Sequence, residues 1–506
     1  MNYRIRAIFR LFFLAWVFGA AGTLYAQKRV EWIYSDYVEY DQVNFGKVRR
    51  AIGSVQFRHQ GTLMLCDSAY FYEETNIVEA FSNVHIQDSD TLNLYCDFLK
   101  YLPSTGMATA FRNVVLVDPQ VSLTTDELTY DINRNIAWYD KGGKIVSRTN
   151  TLTSKKGTYY ADRKQFIFED DVVLMHPKFT LYTDTLHYHT PSEIADVFGA
   201  TLIRGDESLI YTERGTYDTR RDFSICRKNS WMQNKDTRIS GDSITYDRNL
   251  EFSRAFRNVK IQDTVSSVIL GGHLGEYAGS SGYAWLTDSA WAEVWDKEDT
   301  LVLQSDTLYI TYDTLRNGRE FFGYHHVRFF RSDLQGVCDS MAYHFADSVM
   351  YMFAMPVIWN EKTQITADTI TLYFVNQKLD SMRMTGNGFI ISEDRDPGYN
   401  QVKGYVITGF FKDRELDRLF VDGGTETLYY AREENGGLIG IDKARSEQMR
   451  MEFLKGEIET IVYLKGVSGT TYPEKELNQT ERFLKGFLIR EAERPVSRYD
   501  LNHKAE

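Results

Sequence analysis

The sequence predicts an all-β repeat protein, an elongated solenoid whose rungs are about 29 residues long. Three observations lead there: a composition rich in strand formers, a signature that returns at a fixed period, and apolar/polar alternation cut by turn residues. The 506-residue chain holds 33 Tyr and 31 Phe but only 8 Pro. Aromatic and β-branched side chains suit a pleated, half-buried surface. A net charge of −12 leaves no basic footprint for a phosphate backbone, so nucleic acid is excluded as a partner.

The periodic signature is an acid, an apolar residue two positions on, and a tyrosine two further. It stands at Asp97–Leu99–Tyr101, Asp126–Leu128–Tyr130, Asp184–Leu186–Tyr188 and Asp242–Ile244–Tyr246, with gaps of 29, 58 and 58 between the acids. Weaker copies fill the missing places at Lys155–Tyr159 and Glu213–Tyr217, and looser ones follow at Asp306, Asp339 and Asp368. A second block, Ala-Phe-Xaa-Asn-Val, places Asn83, Asn113 and Asn258 each 16 residues after Asp67, Asp97 and Asp242. Asn229 keeps the same offset from Glu213. A unit this small cannot bury its own apolar face, so the copies must stack on their neighbours.

Within each copy, alternation broken by Gly, Pro, Asn and Asp marks short strands. Three residues before the acid stands an aliphatic column that includes Leu94, Leu123, Leu152, Leu181, Ile210, Ile239, Leu270 and Leu303. One residue before it the side chain is small, as at Cys66, Cys96, Thr125 and Cys338. The apolar and tyrosine columns after the acid have the opposite parity, so a bend or bulge is expected there. At one ~4.8 Å spacing per rung, eleven or twelve rungs would reach roughly 50 to 60 Å.

These repeats resemble the OstA/LptA family of lipopolysaccharide transport proteins. The resemblance is carried by Ser240-Gly-Asp-Ser-Ile-Thr-Tyr246 followed by Ala255-Phe256, and weaker copies extend it over roughly residues 30 to 390. Leu428-Tyr-Tyr-Ala-Arg432 and Gly437 to Ala444 are similar to the long OstA-like proteins of Gram-negative bacteria. The resemblance implies a V-shaped β-jellyroll whose two sheets enclose an apolar groove for lipid A acyl chains. The eight aliphatic residues named above are then the expected ligand-binding column. Its partners would be lipopolysaccharide and the inner- and outer-membrane transport components, joined through strand edges, with head-to-tail self-association through the same edges.

The organisation expected is a signal peptide over 1–26, a β-repeat domain over 27–400 and a C-terminal extension over 401–506. Arg4, Arg6 and Arg10 precede the apolar run Leu11 to Ala21, and small residues lead to Ala26. That order reads as a cleaved secretory signal and places the protein in the periplasm, with membrane association as the second option. The competing reading, an uncleaved anchor, needs roughly 20 apolar residues. The extension should add further rungs and, over Glu474 to Glu493, an amphipathic helix.

No catalytic residue, metal ligand or cofactor is expected. An aspartate that recurs in nearly every copy reads as a turn or bulge residue bonding nearby backbone N–H groups, not as an acid/base pair. His187 and His189 share a strand face and His325 neighbours His326, but neither pair has further ligands at a metal spacing. Cys66 and Cys96 occupy equivalent positions in successive copies. Export makes a disulfide between them permissible, although burial as small apolar side chains is the simpler reading. Two alternatives to a lipid carrier remain open at this stage: a structural or adhesive solenoid with a dry core, and a β-helix enzyme acting on polysaccharide.

Overall fold

A computed structural model describes residues 30–501 except 41–46, 60, 89–91, 120, 236, 264–267, 296–298, 315–316, 377, 395–397, 414, 434–435, 455–456 and 499. The expected signal segment, 1–26, lies outside the described residues. The described chain is built from antiparallel strands and three short 3-10 turns, with no α-helix among the described residues. It divides into two compact units, one ending at Val172 and the other beginning at Val173.

In the first unit, Glu31–Tyr34 and Tyr37–Tyr40 both pair with Val48–His59. A meander follows in which each strand pairs with the next: Thr62–Tyr72, Ile77–Asp88, Leu92–Leu102, Met107–Asp118 and Val121–Asp131. In the second unit the same meander runs from Phe179–His189 through Thr300–Tyr312. Beyond it, from Gly318 to Val375, each long strand is interrupted into two short ones. Long strands return at Lys378–Glu393, Tyr399–Lys412, Glu415–Arg432 and Leu438–Leu454, so the region 401–472 continues the strand pattern.

One repeat is therefore two consecutive antiparallel strands, such as Ser208–Asp218 and Phe223–Asn234. This corrects the rise per copy: a copy advances two strand spacings, about 9.6 Å, not one. It also removes the Cys66–Cys96 disulfide. The strand Ile77–Asp88 lies between their strands, with Val84 opposite Cys96, and all four cysteines are free and buried.

The bend expected at the acid is present in copy after copy. Pairing slips between Leu65 and Ser68, Tyr95 and Phe98, Tyr211 and Arg214, and Ser240 and Ser243. The facing strand answers with two successive residues in the left-handed region, for example Arg112 (φ 64°) with Asn113 (φ 50°) and Arg257 (φ 56°) with Asn258 (φ 50°). Asn tolerates that conformation better than most residues. This explains the Asn of the Ala-Phe-Xaa-Asn-Val block. Each strand is thereby divided into two arms with the bulge as the bend between them.

The expected helix over Glu474 to Glu493 does not form. The segment holds only the 3-10 turns Gln479–Arg482 and Glu491–Glu493 and otherwise runs as an irregular strap over 473–501. Leu477 and Leu484 are buried against Phe389, Ile391, Leu428, Tyr430 and Ile441, and Phe487 packs beside them. Tertiary contact has overridden local helix propensity.

Candidate functional site

The bulge turns both apolar columns to the same side. Before the acid, Leu94, Leu123, Leu152, Leu181, Ile210, Ile239, Leu270 and Leu303 are each at most 8% exposed. After the acid, Leu99, Leu128, Leu186 and Ile244 are no more than 2% exposed. The residues directly after the acids, Glu127, Lys156, Thr185, Arg214 and Ser243, are half-buried or exposed, turned away by the bend. Each unit carries its own stretch of this interior, Leu94, Leu123 and Leu152 in the first and the remaining five in the second.

The interior is narrow. In the first unit Phe57, Met64 and Ile86 from one arm face Leu99 and Tyr101 from the other across a cavity of about 20 Å³. That is room for about one water molecule. The Tyr101 hydroxyl is buried there with no hydrogen-bond partner among the described residues, and the His59 ring meets Tyr101 edge-on at 5.6 Å. On the outward side of the second unit a larger cavity of about 200 Å³ lies among Lys260, Gly272, Trp291, Gln304 and Leu501, with Asn258, Val259, His273 and Ser289 also at its wall.

The acid column holds the bulges together. Asn83, Asn113 and Asn258 donate side-chain hydrogen bonds to Asp67 (2.8 Å), Asp97 (2.7 Å) and Asp242 (3.1 Å), and Asn229 donates to Glu213 (2.7 Å). The 16-residue offset is thus one cross-strand bond, repeated. The acceptors were expected to meet backbone N–H groups; they meet a side chain of the neighbouring strand instead, because the left-handed Asn points back at them. Further along, His326 contacts Asp306 at 2.9 Å and His325 contacts Asp339 at 3.3 Å. Lys228 and then Asn229 hold the Glu213 carboxyl below its usual range, and the Ser340 hydroxyl followed by His325 does the same for Asp339.

Carboxylates of successive copies are separated by an intervening strand, about 9.6 Å, which is too far for two to share a proton. His187 lies against Phe198, and His189 bonds Ser192 at 2.6 Å. Among the described residues no three His, Cys, Asp or Glu side chains are grouped to hold a metal ion. The four thiols are inert by environment: burial pushes Cys66, Cys96, Cys226 and Cys338 up to about 12.

What the sequence reading missed is a row of buried amides on the outward face. Gln335, Gln364 and Gln401 are each at most 5% exposed and all bond the C-terminal strap. Gln335 and Gln364 stand 29 residues apart, each four before an acid of the column. That spacing was available as a signal, but glutamine reads as a solvent-facing strand residue until the strap is in place.

Residues 27–184 and 181–293 match the family described as OstA-like protein, together more than half of the chain. No curated protein matches. A solved structure with local similarity is that of LptH, the LptA-homologous periplasmic component of the conserved lipopolysaccharide transport device from Pseudomonas aeruginosa. It is 13% identical with a TM-score of 0.20, and the match covers 22% of this chain and 79% of that chain. Over the matched repeats, the chain belongs to the OstA-like protein family.

Proposed function

We propose that the protein is a periplasmic carrier of lipopolysaccharide, holding lipid A acyl chains between the two arms of its bent strands. The observation that carries this reading is the pair of apolar columns, repeated copy after copy and facing one another across the bend. Each CH₂ of an acyl chain laid there would contribute about 0.8 kcal/mol. Successive copies offer nearly equivalent sites, so a chain can pass along without meeting a deep trap. The arms leave a cavity of only about 20 Å³ between them in the first unit, so loading there requires them to part. Membership of the OstA-like family supports the reading, and no residue is assigned a catalytic role.

Partners would join at strand edges. Glu31–Tyr34 and Tyr37–Tyr40 each pair with Val48–His59, and their exposed Tyr34, Tyr37 and Tyr40 flank an edge suited to strand addition by a membrane-bound transport component or a second copy.

A photo-crosslinker placed at Leu123, Leu128, Leu181 or Leu186 should capture lipopolysaccharide in cells, whereas one at Glu127 or Thr185 should not. The narrowness of the interior favours a second reading, a packed structural solenoid without lipid. Absence of capture at both columns in a folded protein would decide for it.

A further inference from the structure

The C-terminal strap lies across the outward face of the second unit. Directly opposed residues on adjacent strands share a face, and the pairs Gln335–Trp359, Trp359–Gln364, Gln364–Ile391, Ile391–Gln401 and Gln401–Leu428 make one continuous outward row. All six residues are at most 5% exposed. The same row ahead of the strap runs Arg204, Leu209, Gln233, Arg238 and Gln262, and none of these is buried.

The bonds that hold the strap are specific to an extended backbone. The Gln401 amide donates to the Arg482 carbonyl at 2.8 Å and accepts from the Leu484 N–H at 2.8 Å. Gln364 repeats this, donating to the Leu488 carbonyl at 2.8 Å and accepting from the Arg490 N–H at 2.7 Å. Gln335 accepts two bonds from the Arg494 guanidinium, at 2.9 and 2.6 Å. Arg490 also donates to the Met355 carbonyl, at a bulge. An amide that bonds a C=O and the N–H two residues on tolerates little sliding. Strands so tied cannot shear or flatten independently of one another.

Building on the carrier reading, we infer that residues 473–501 are a brace, which keeps the arm beneath it closed and confines lipid loading in this unit to the copies ahead of it. Parting the inward columns requires the strands of an arm to change curvature. Beneath the strap that change would also break the outward core of Phe389, Ile391, Leu428 and Tyr430 with Leu477 and Leu484. Over Phe179–His189 the outward face is open, with Tyr182 42% exposed.

Two measurements on the full chain test this. In hydrogen exchange, amides of Thr363–Thr366 and Tyr399–Lys412 should exchange more slowly than those of Phe179–His189. The double substitution Gln364→Leu, Gln401→Leu should speed only the former, by about tenfold, equivalent to about 1.4 kcal/mol of opening free energy. Arg490→Ala is the milder second variant if the double one fails to fold, and it should act on the same strands. Unchanged exchange beneath the strap in a folded variant overturns the brace. Photo-crosslinkers at Leu181 and Ile239 should capture lipopolysaccharide while one at Ile365 does not, until the Gln substitutions free it. Equal capture at Ile365 in the intact chain overturns the brace but leaves the carrier standing. Capture nowhere removes the carrier, and the exchange comparison still decides the brace.

Discussion

An asparagine at the bulges facing Asp67, Asp97, Glu213 and Asp242 explains why a spacing could be read so clearly from the sequence. Asn113 must supply both a left-handed backbone (φ 50°) and a donor for Asp97 at 2.7 Å, and few residues do both. Asn113→Ala should lower stability by about 1 to 2 kcal/mol, and Asn113→Gly by less, since Gly keeps the conformation and loses only the bond. Equal losses, measured by urea unfolding, would show that backbone strain is irrelevant. Glu213 adds a pH dependence with a definite sign. Its folded-state pKa is depressed by Lys228 and Asn229, so its pairing stabilises above the ordinary glutamate value and is lost as pH falls through the lower one. Stability should therefore be indifferent to this group from pH 7 to about 5 and should fall below that, as the unfolded chain takes up the proton first. Glu213→Gln should remove that acid-dependent part. The thiols give the sharpest test: native protein at about pH 8 should react with no thiol reagent, and unfolded protein should titrate four cysteines. Two titratable thiols after unfolding would restore the disulfide.

At the scale of a strand, the weaker copies turn out to be structural substitutions, not decay of the repeat. Gly157, Gly215 and Gly275 stand where other copies place Leu99, Leu128, Leu186 or Ile244. At Gly157 the vacancy is filled by Tyr139: a Cβ there would come within 2.5 Å of that ring, and one on Gly143 within 2.4 Å. The Tyr139 hydroxyl is then satisfied by Ser154 at 2.7 Å. Gly157→Ala should destabilise by about 1 to 3 kcal/mol through overpacking. Combining it with Tyr139→Ala should cost less than the sum, because the two residues compete for one space. A thermal melt showing strict additivity would separate them. Periodicity made the strand order and the inward columns legible, since each copy repeats the same demand. The strap was illegible for the opposite reason. Leu477, Leu484 and Phe487 have spacings that a helix also satisfies, and only the outward row they cover decides between the two.

For the molecule as a whole, the decisive fact is that a repeat is a pair of strands. In an antiparallel meander the chain leaves each strand at the end opposite to where it entered, so a complete pair returns it to its starting edge. Ser208–Asp218 and Phe223–Asn234 form such a pair; removing residues 208–236 joins Glu207 to Thr237, which opens a strand in the same register as Ser208. The inward residues Ile239 and Ile244 then take the places of Ile210 and Gly215 beside Ile203 and Val197. The shortened protein should fold cooperatively, less stable by roughly one repeat and its interface, as expected where contacts are confined to neighbours. Removing only residues 208–222 deletes one strand and one turn. The chain then reaches Phe223 at the wrong end, and every later strand must reverse direction or cross the sheet. Circular dichroism should show a native-like melt for the first deletion and loss of the cooperative transition for the second. If both fold equally well, the copies are not strand pairs and the repeat has been divided wrongly. If the first folds and still captures lipid at Leu181, carriage belongs to the repeated columns and not to any one copy.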